Sequence, residues 1–402
     1  MNINVNMTAM TQPEDYVLRL NRHRILCFVA DEISMTALRI GLEDGNIDIR
    51  RGTIIDAIQV LEKNTDVSGL IIDISSIIDP LSELETLARL CPPDVRVIVV
   101  GDNSDISFYR SLMELGVDEY LPKPLTRDLV QSHISQKLIG NQETKITDRS
   151  GHIISICGAQ GGAGATSIAI NLALLLAETT KGKVALLDLH LQGGETSIML
   201  GVQPGPGLRI ALENPMRADS LFIERSAIEI NSRTKLFSAD EDLDTSLEIK
   251  QEGVEHVLNL LQQKFNYIVV DVPIPLAPAI QPAITMSRHV LVLLEAEVTG
   301  LRNAQALRTA IKKLIGKNKV FTLVNRADRS GGLPLETIEL GLGTKPDMLI
   351  PDLGKGMTEA VNLGIPGLEH VPKLRRHLAP IIREITGIDD QKKGWLRRLL
   401  GK

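Results

Sequence analysis

The segment from Ile153 to Ala177 constrains the fold most, because no charged residue occurs anywhere in it. A stretch of this length and polarity could in principle be a membrane-spanning helix. Its interior argues against that, because the glycine-rich run GAQGGAGATS (158–167) lies in its middle. The β-branched run HIISIC precedes the glycines, and SIAINLALLLAE, with apolar residues at helical spacing, follows them. The segment therefore predicts a strand, a loop and a helix.

A glycine-rich loop between a strand and a helix is a candidate phosphate-binding site. It directs backbone N–H groups and a helix N-terminus at phosphate oxygens. The predicted nucleotide contacts in this loop are Gly161, Gly162, Ala163, Gly164, Ala165, Thr166 and Ser167. The hydroxyl of Thr166 is in position to hold Mg²⁺. The apolar strand YIVVDVP ends near Asp271, as expected for a carboxylate that binds the metal's water shell. Thr166 and Asp271 are therefore the candidate metal-binding residues, with Mg²⁺ as the expected ion.

The chain as a whole alternates apolar runs with amphipathic segments, which predicts an α/β fold of parallel sheets covered by helices. The polar stretch NQETKITDRS (141–150) interrupts this alternation and is the candidate linker. The predicted strands lie at 24–30, 67–75, 95–101, 118–124, 152–157, 183–189, 234–239, 267–273, 289–297 and 319–325. The expected division is a flexible N-terminal segment (1–22), a first domain (23–140), a linker (141–151), a second domain (152–388) and a basic tail (389–402).

Composition narrows the class of protein. The chain has 402 residues and a formal net charge of −6, which argues against nonspecific nucleic-acid binding by the molecule as a whole. Aromatic residues make up only 3%, so base stacking is not expected as a main activity. The three cysteines lack metal-ligand spacing, and the N-terminus lacks a secretory pattern. We therefore expect reduced thiols, a cytoplasmic location and no specific nucleic-acid partner.

The second domain resembles the MinD/ParA group of P-loop ATPases. In that group the loop reads lysine, two glycines, any residue, glycine, lysine and threonine, and 160–166 follows this pattern except at the lysines. Four further segments resemble motifs of the group: LLDLHLQGG (186–194) its Asp-x-Asp switch strand, VVDVP (269–273) its Walker B strand, LVNRAD (323–328) its adenine-reading asparagine, and LIPDLGKGMTEAVNLGIP (349–366) its Pro-Asp loop. The resemblance implies ATP as the cofactor beside Mg²⁺, and further nucleotide contacts by Asn325, Pro351 and Asp352.

Three charged groups of that family are replaced here. Gln160 and Ala165 stand in place of the two lysines, and His190 replaces the second carboxylate of the switch strand. Losing one such group typically costs roughly a hundred- to a thousandfold in rate. Little or no ATP hydrolysis is therefore expected, with Asp188 as the remaining catalytic candidate, although backbone amides can still hold a nucleotide weakly. His190 is interpreted as a loop residue at a partner surface. The alternative is that the loop is an empty relic.

The first domain resembles a response-regulator receiver. Asp31 and Glu32 end its first strand, Asp73 ends its third, and Lys123 follows its fifth. The resemblance implies a flavodoxin-like fold in which clustered carboxylates bind Mg²⁺ and Asp73 accepts a phosphoryl group. The fourth strand, however, ends at Val100 and Gly101, where the family has a threonine or serine. Two interpretations stay open, a phosphorylated regulator or a docking domain in which Asp73 and Lys123 are an inherited ion pair, and the second is favoured.

The last twelve residues, QKKGWLRRLLGK, carry five basic side chains and no acidic one. On a helix, Trp395, Leu396, Leu399 and Leu400 would share one face, flanked by Arg397 and Arg398. This pattern predicts an interfacial anchor at the inner membrane and is similar to the C-terminal helix of MinD. The alternative is a frayed cationic tail, or a helix docked on the body of the protein.

Within the MinD/ParA group, the receiver-like block and the stretch GLRIALENPMRADSLFIERSAI (207–228) resemble the TadZ/CpaE proteins of tight-adherence (Flp) pilus assembly. That resemblance implies a homodimeric scaffold that places the pilus and secretion machinery at the inner membrane, often at a cell pole. Two alternatives stay open. One is an active MinD/ParA-type ATPase in division-site placement or DNA segregation, and the other is a phosphorelay regulator.

Overall fold

A computed structural model describes residues 24–42, 46–63, 67–93, 95–135, 150–315 and 319–388 of the chain. They belong to two compact units. The first falls within Met1–Ala88 and Asp94–Asp148, and the second within Arg89–Pro93 and Arg149–Lys402. The predicted tail residues Trp395, Leu396, Arg397, Arg398, Leu399 and Leu400 lie outside the described residues. Within the described ranges, no helix has both the length and the apolar character needed to cross a bilayer.

The first unit contains a five-stranded parallel sheet in the order β2-β1-β3-β4-β5. The strands are β1 Arg24–Val29, β2 Asn46–Arg51, β3 Gly69–Asp73, β4 Arg96–Gly101 and β5 Glu119–Pro122. This order is that of the flavodoxin-like doubly wound folds, which confirms the predicted fold class. Sequence reasoning did not locate β2. As an edge strand it packs only Ile47 and Ile49 against the core, so it lacks a continuous apolar run.

Helices alternate with the strands of the first unit along the chain, and the last helix follows β5. They are α1 Glu32–Gly41, α2 Ile54–Leu61, α3 Pro80–Leu90, α4 Ile106–Glu114 and α5 Arg127–Leu129, which leads into a π-helix at Val130–Ser135. The start of α1 is fixed by Asp31, whose carboxylate accepts a hydrogen bond from the Ser34 N–H at 2.7 Å. This cap holds Asp31 at the carboxyl edge of β1, where the receiver-like residues were predicted.

The second unit contains an eight-stranded sheet in the order β13-β12-β11-β6-β10-β7-β9-β8. Its strands are β6 His152–Gly158, β7 Val184–Asp188, β8 Ile228–Glu229, β9 Thr234–Phe237, β10 Tyr267–Val272, β11 His289–Glu295, β12 Lys319–Asn325 and β13 Met348–Leu349. All pair in parallel except β8, which is antiparallel to β9. The six longer strands coincide with predicted runs. The two-residue strands β8 and β13 are too short to leave a pattern.

Helices cover both faces of this sheet. They are α6 Ala165–Thr180, α7 Thr196–Met199, α8 Gly207–Glu213, α9 Ser220–Ser226, α10 Gln251–Lys264, α11 Gln281–Thr285, α12 Val298–Ile315, α13 Leu335–Leu342, α14 Lys355–Leu363, α15 Gly367–His370 and α16 Lys373–Thr386. Every residue of β10 is buried, with Ile268 and Val270 in one core and Val269 in the other. Most of α6 is buried as well, which explains why the segment after the glycines carries no charge.

Candidate functional site

The candidate site lies at the carboxyl edge of the second sheet, where β6, β10 and β7 are adjacent. Asp271 of β10 pairs directly with Asp188 of β7, so the two carboxylates emerge side by side. The loop that follows Gly158 of β6 leaves the sheet at the same edge. Carboxyl edges of parallel sheets are the usual ligand-binding positions of doubly wound folds.

The glycine loop has the backbone that its sequence predicted. Gly162 and Gly164 have φ values of 78° and 88°, a region that favours glycine. A Cβ added at Gly164 would lie only 2.5 Å from Asn325 Nδ2, so the loop excludes a side chain there. Gly161 and Gly162, in contrast, face open space. Because α6 begins at Ala165, its first backbone N–H groups lack intrahelical partners and are available to an anion.

A cavity of about 550 Å³ lies over this loop. All seven predicted loop contacts line it, from Gly161 to Ser167. The other lining residues are Gly158, Gln160, His190, Glu195, Met199, Val272, Ile274, Arg326, Met357, Thr358 and Val361. No lysine is among these described lining residues. The guanidinium of Arg326 is instead the cation that reaches the loop, donating to the Gly162 carbonyl at 3.1 Å while it pairs with Glu295.

Asp188, His190 and Asp271 form a cluster beside the loop, with one ligand atom of each within 4.8 Å of the others. The His190 Nδ1 atom is 3.3 Å from Asp188 Oδ1 and 3.7 Å from Asp271 Oδ2. The His190 backbone N–H also donates to Asp188 Oδ1 at 2.9 Å, which fixes the turn after β7. The imidazole is thus turned toward the carboxylates. Sequence reasoning missed this cluster because it treated His190 only as a surface loop residue.

The cluster is electrostatically strained. Burial and the neighbouring Asp188 charge raise the pKa of Asp271 to about 6, although His190 and the Thr166 hydroxyl oppose that shift. Burial lowers the pKa of His190, but the hydrogen bond with Asp188 and the charges of Asp271, Asp188 and Glu195 outweigh it and raise that pKa. Both carboxylate oxygens of Asp271 are buried, and neither has a hydrogen-bond donor within 3.5 Å among the described residues, so the Thr166 hydroxyl acts on Asp271 from a longer distance. A buried, unsatisfied carboxylate of this kind fits the cation that the sequence predicted.

Known proteins provide an independent test of the second unit. Residues 151–323 match the family model described as an AAA domain. The second unit, which contains these residues, has the P-loop fold of MinD and ParA structures and is called the MinD/ParA-type domain. An uncharacterized ATP-binding protein of Methanocaldococcus jannaschii is 26% identical over 50% of this chain and 72% of its own length.

Two solved structures share the fold of the MinD/ParA-type domain. A ParA family ATPase from Chlorobium tepidum TLS has a TM-score of 0.54 at 20% identity, covering 58% of this chain and 99% of that chain. The septum site-determining protein MinD of Pyrococcus horikoshii OT3, solved with Mg-ADP, has a TM-score of 0.51 at 21% identity, covering 58% and 96%. The predicted P-loop fold is therefore confirmed.

Three predicted nucleotide contacts of the MinD/ParA-type domain do not line the described cavity. The Asn325 amide instead donates to the Ala163 carbonyl at 2.9 Å and so braces the loop from the end of β12. The Asp352 carboxylate accepts from the Gly354 N–H at 2.8 Å, and Pro351 precedes it. Contact of Asn325, Pro351 and Asp352 with a nucleotide stays a prediction.

Gln160, at the first lysine position of the MinD/ParA-type loop, turns toward its own domain. Its side-chain oxygen is buried without a hydrogen-bond partner among the described residues. A Cβ added at Gly300 would lie 3.2 Å from that oxygen, which locates the amide against the start of α12. The side chain therefore does not project outward from the loop, as a residue that reaches a second copy would have to do.

The receiver-like residues of the first unit also converge, with one exception. Lys123 Nζ lies 2.7 Å from Asp31 Oδ2 and 2.6 Å from Asp73 Oδ2. Asp73 also accepts hydrogen bonds from the Ala30 N–H at 2.9 Å and from the Ser75 hydroxyl at 2.6 Å. Glu32 is exposed in the first turn of α1. The cluster therefore consists of Asp31, Asp73 and Lys123.

Asp73 is poorly placed to act as a phosphoryl acceptor. It is only 1% exposed, and both of its oxygens accept hydrogen bonds. Burial alone would raise its pKa, but the bonds from Lys123, Ser75 and Ala30 hold it below the usual value. The geometry favours a structural ion pair.

Proposed function

We propose that this chain is a nucleotide-binding scaffold that holds ATP and Mg²⁺ weakly and hydrolyses ATP slowly or not at all. One observation carries the proposal: the phosphate-binding backbone of the loop is intact, while no lysine lines the described cavity. Main-chain amides bind phosphate whatever the side chains are, whereas catalysis of phosphoryl transfer needs fixed positive charge. We therefore expect this chain to bind ATP without hydrolysing it at an appreciable rate.

The groups that line the cavity, and Asp271 beside it, have distinct roles in that binding. The backbone N–H groups of 161–166 and the N-terminus of α6 hold the phosphates. Arg326 adds a positive charge beside the loop, which replaces part of what Gln160 and Ala165 no longer supply. The Thr166 hydroxyl and Asp271 would hold Mg²⁺, which supplies charge neutralisation for the phosphates when bound. A bound cation would satisfy the buried carboxylate oxygens of Asp271, which have no hydrogen-bond partner among the described residues.

The cellular role that fits this scaffold is that of the TadZ/CpaE proteins in Flp/tight-adherence pilus assembly. The flavodoxin-like first unit beside a MinD/ParA-type domain supports this role, as does the resemblance of 207–228, which forms α8 and α9 in the structure. The hydrogen-bonded state of Asp73 favours a docking function for the first unit over phosphorelay. In this proposal a homodimer recruits pilus and secretion proteins at the cytoplasmic side of the inner membrane, near a cell pole.

Restoring one lysine tests the proposed site directly. We expect Ala165→Lys to tighten ATP binding by about tenfold or more, because a charge-assisted hydrogen bond contributes about 1.5–3 kcal/mol. The measurement is a calorimetric titration of the full chain with ATP in excess Mg²⁺. Ala165→Gln is the control, since it adds a similar chain without charge. Equal affinities for all three proteins would contradict the proposed phosphate contact.

Membrane association is a separate prediction, and it concerns residues outside those described. Deleting 392–402 is expected to abolish co-sedimentation with anionic liposomes, because the tail carries both the basic and the apolar residues of the predicted anchor. Replacing Trp395 and Leu399 by serine keeps all five basic residues and separates apolar insertion from charge attraction. If the truncated chain still sediments with the liposomes, the anchor lies elsewhere.

A further inference from the structure

We propose that Asp188, His190 and Asp271 form a binding site for a divalent transition-metal ion of the Zn²⁺ type in the nucleotide-free chain, where Asp271 does not hold the Mg²⁺ of a bound nucleotide. The three side chains offer two carboxylate oxygens and one imidazole nitrogen. Mg²⁺ prefers oxygen ligands, whereas imidazole suits Zn²⁺ and its neighbours in the first transition row. The replacement of a carboxylate by His190 thus changes the metal that this edge of the sheet can select.

Two of the three distances within the cluster match a shared ion, and the Asp188 and Asp271 ligand atoms lie within 4.8 Å of each other. Ligand atoms about 2.0–2.1 Å from a tetrahedral Zn²⁺ are about 3.3–3.4 Å from one another. In the structure, His190 Nδ1 lies 3.3 Å from Asp188 Oδ1 and 3.7 Å from Asp271 Oδ2. Only small side-chain movements would therefore be needed to bind an ion. Because the protein supplies three ligands, a fourth position is left for water or for an anion in the cavity.

Asp271 provides an observation that does not depend on the clustering itself. It is fully buried, and neither of its oxygens has a hydrogen-bond donor among the described residues. A buried carboxylate without hydrogen-bond donors is costly even with an imidazole nitrogen 3.7 Å away, and a bound cation removes that cost. Asp188 differs, because it already accepts the His190 backbone N–H. The sheet also fixes both carboxylates, since Asp188 and Asp271 are paired in register on rigid neighbouring strands.

The cluster can be tested by titrating the nucleotide-free full chain with Zn²⁺ in a large excess of Mg²⁺, using calorimetry. We expect one Zn²⁺ site that Mg²⁺ does not displace. His190→Ala should weaken Zn²⁺ binding by more than about tenfold, because even losing a residue that only supports a ligand costs about 10–100-fold. His370→Ala is the matched control, since His370 is comparably exposed and its ring nitrogen is 3.2 Å from Glu359. That variant should bind Zn²⁺ as the unmodified chain does.

A second variant guards against a trivial effect of misfolding. His190→Asp converts the site to three carboxylates and should lose the preference for Zn²⁺ over Mg²⁺ while unfolding at a similar temperature. The visible absorption spectrum of bound Co²⁺ gives a further readout. If His190 supplies a nitrogen ligand, this spectrum should change when His190 is replaced. The proposal is overturned if the chain binds no Zn²⁺ under these conditions, or if His190→Ala and His370→Ala bind it equally. Because no nucleotide is present, either result is distinguishable from a failure of ATP binding.

Discussion

ATP turnover by the purified chain is expected to be more than about a hundredfold slower than that of a MinD/ParA protein with both loop lysines, measured side by side. The described cavity contains no lysine, and Gln160 is folded against its own domain. Phosphoryl transfer is accelerated mainly by positioned charge that stabilises the leaving and transferred groups. Arg326 is a single cation that contacts the Gly162 carbonyl and already pairs with Glu295, so it does not replace both lysines.

The measurement is steady-state phosphate release in Mg²⁺, with Asp271→Asn as the internal control. Any slow rate that survives unchanged in this variant comes from a contaminating ATPase, because Asp271 is the buried carboxylate at the centre of the site. A chain that hydrolyses ATP as fast as its lysine-bearing relative, and loses that rate in Asp271→Asn, would refute the scaffold proposal and favour the active ATPase.

Asp73→Ala is expected to destabilise the first unit by about 3 kcal/mol, at the lower end of the range for breaking a buried ion pair. The substitution leaves Lys123, which is only 14% exposed, with Asp31 as its remaining carboxylate. It also removes the acceptor for the Ala30 and Ser75 N–H groups. Hydrogen exchange of first-unit peptides in the full chain measures the loss where it occurs.

Asp31→Asn is the matched control, because it removes a more exposed charge from Lys123 while an amide oxygen can still cap α1. Its expected cost is below about 1 kcal/mol. Equal losses of stability in Asp73→Ala and Asp31→Asn would contradict the prediction that Asp73 contributes most to the stability of this ion-pair cluster. In the phosphorelay alternative, an acyl-phosphate donor would label Asp73 of the unmodified chain, and such labelling would overturn the structural interpretation.

The pH dependence of the stability that this ion-pair cluster contributes follows from the pKa shifts of its two carboxylates. The pKa of Asp73 is lowered, and that of Asp31 is lowered to about 2. A carboxylate with a depressed folded-state pKa stabilises the protein fully above its unfolded value of about 3.9 and loses that contribution as the pH falls through the folded value. The stability gap between the unmodified chain and Asp73→Ala should therefore be constant from about pH 5 to 8 and shrink below about pH 4.

Most of the second sheet could be predicted from the sequence, because its central strands are buried on both faces and read as continuous apolar runs. The same reasoning could not locate β2, where Asp48 and Arg50 alternate with two isoleucines at an edge. The strand, glycine loop and helix between 153 and 177 were predicted as well, and the positive φ values of Gly162 and Gly164 explain why glycine is favoured there.

The His190 cluster could not be predicted in the same way. It depends on the pairing of Asp188 with Asp271, two residues far apart in the chain. It also depends on the turn after β7, which a backbone hydrogen bond to Asp188 closes. Neither the strand order nor that turn leaves a periodic signal in the sequence. The brace from Asn325 to Ala163 was missed for the same reason, because it is a tertiary contact.

The burial of α6 limits how this domain can signal. Residues on nearly all sides of that helix, from Ile168 to Thr180, are enclosed by other parts of the domain. A helix buried on nearly all sides cannot tilt or slide without opening cavities, which is unfavourable in a close-packed interior. We therefore expect that nucleotide binding changes a partner-binding surface through movement of the short segments that line the cavity, such as 190–199 and 357–361, and not through movement of α6.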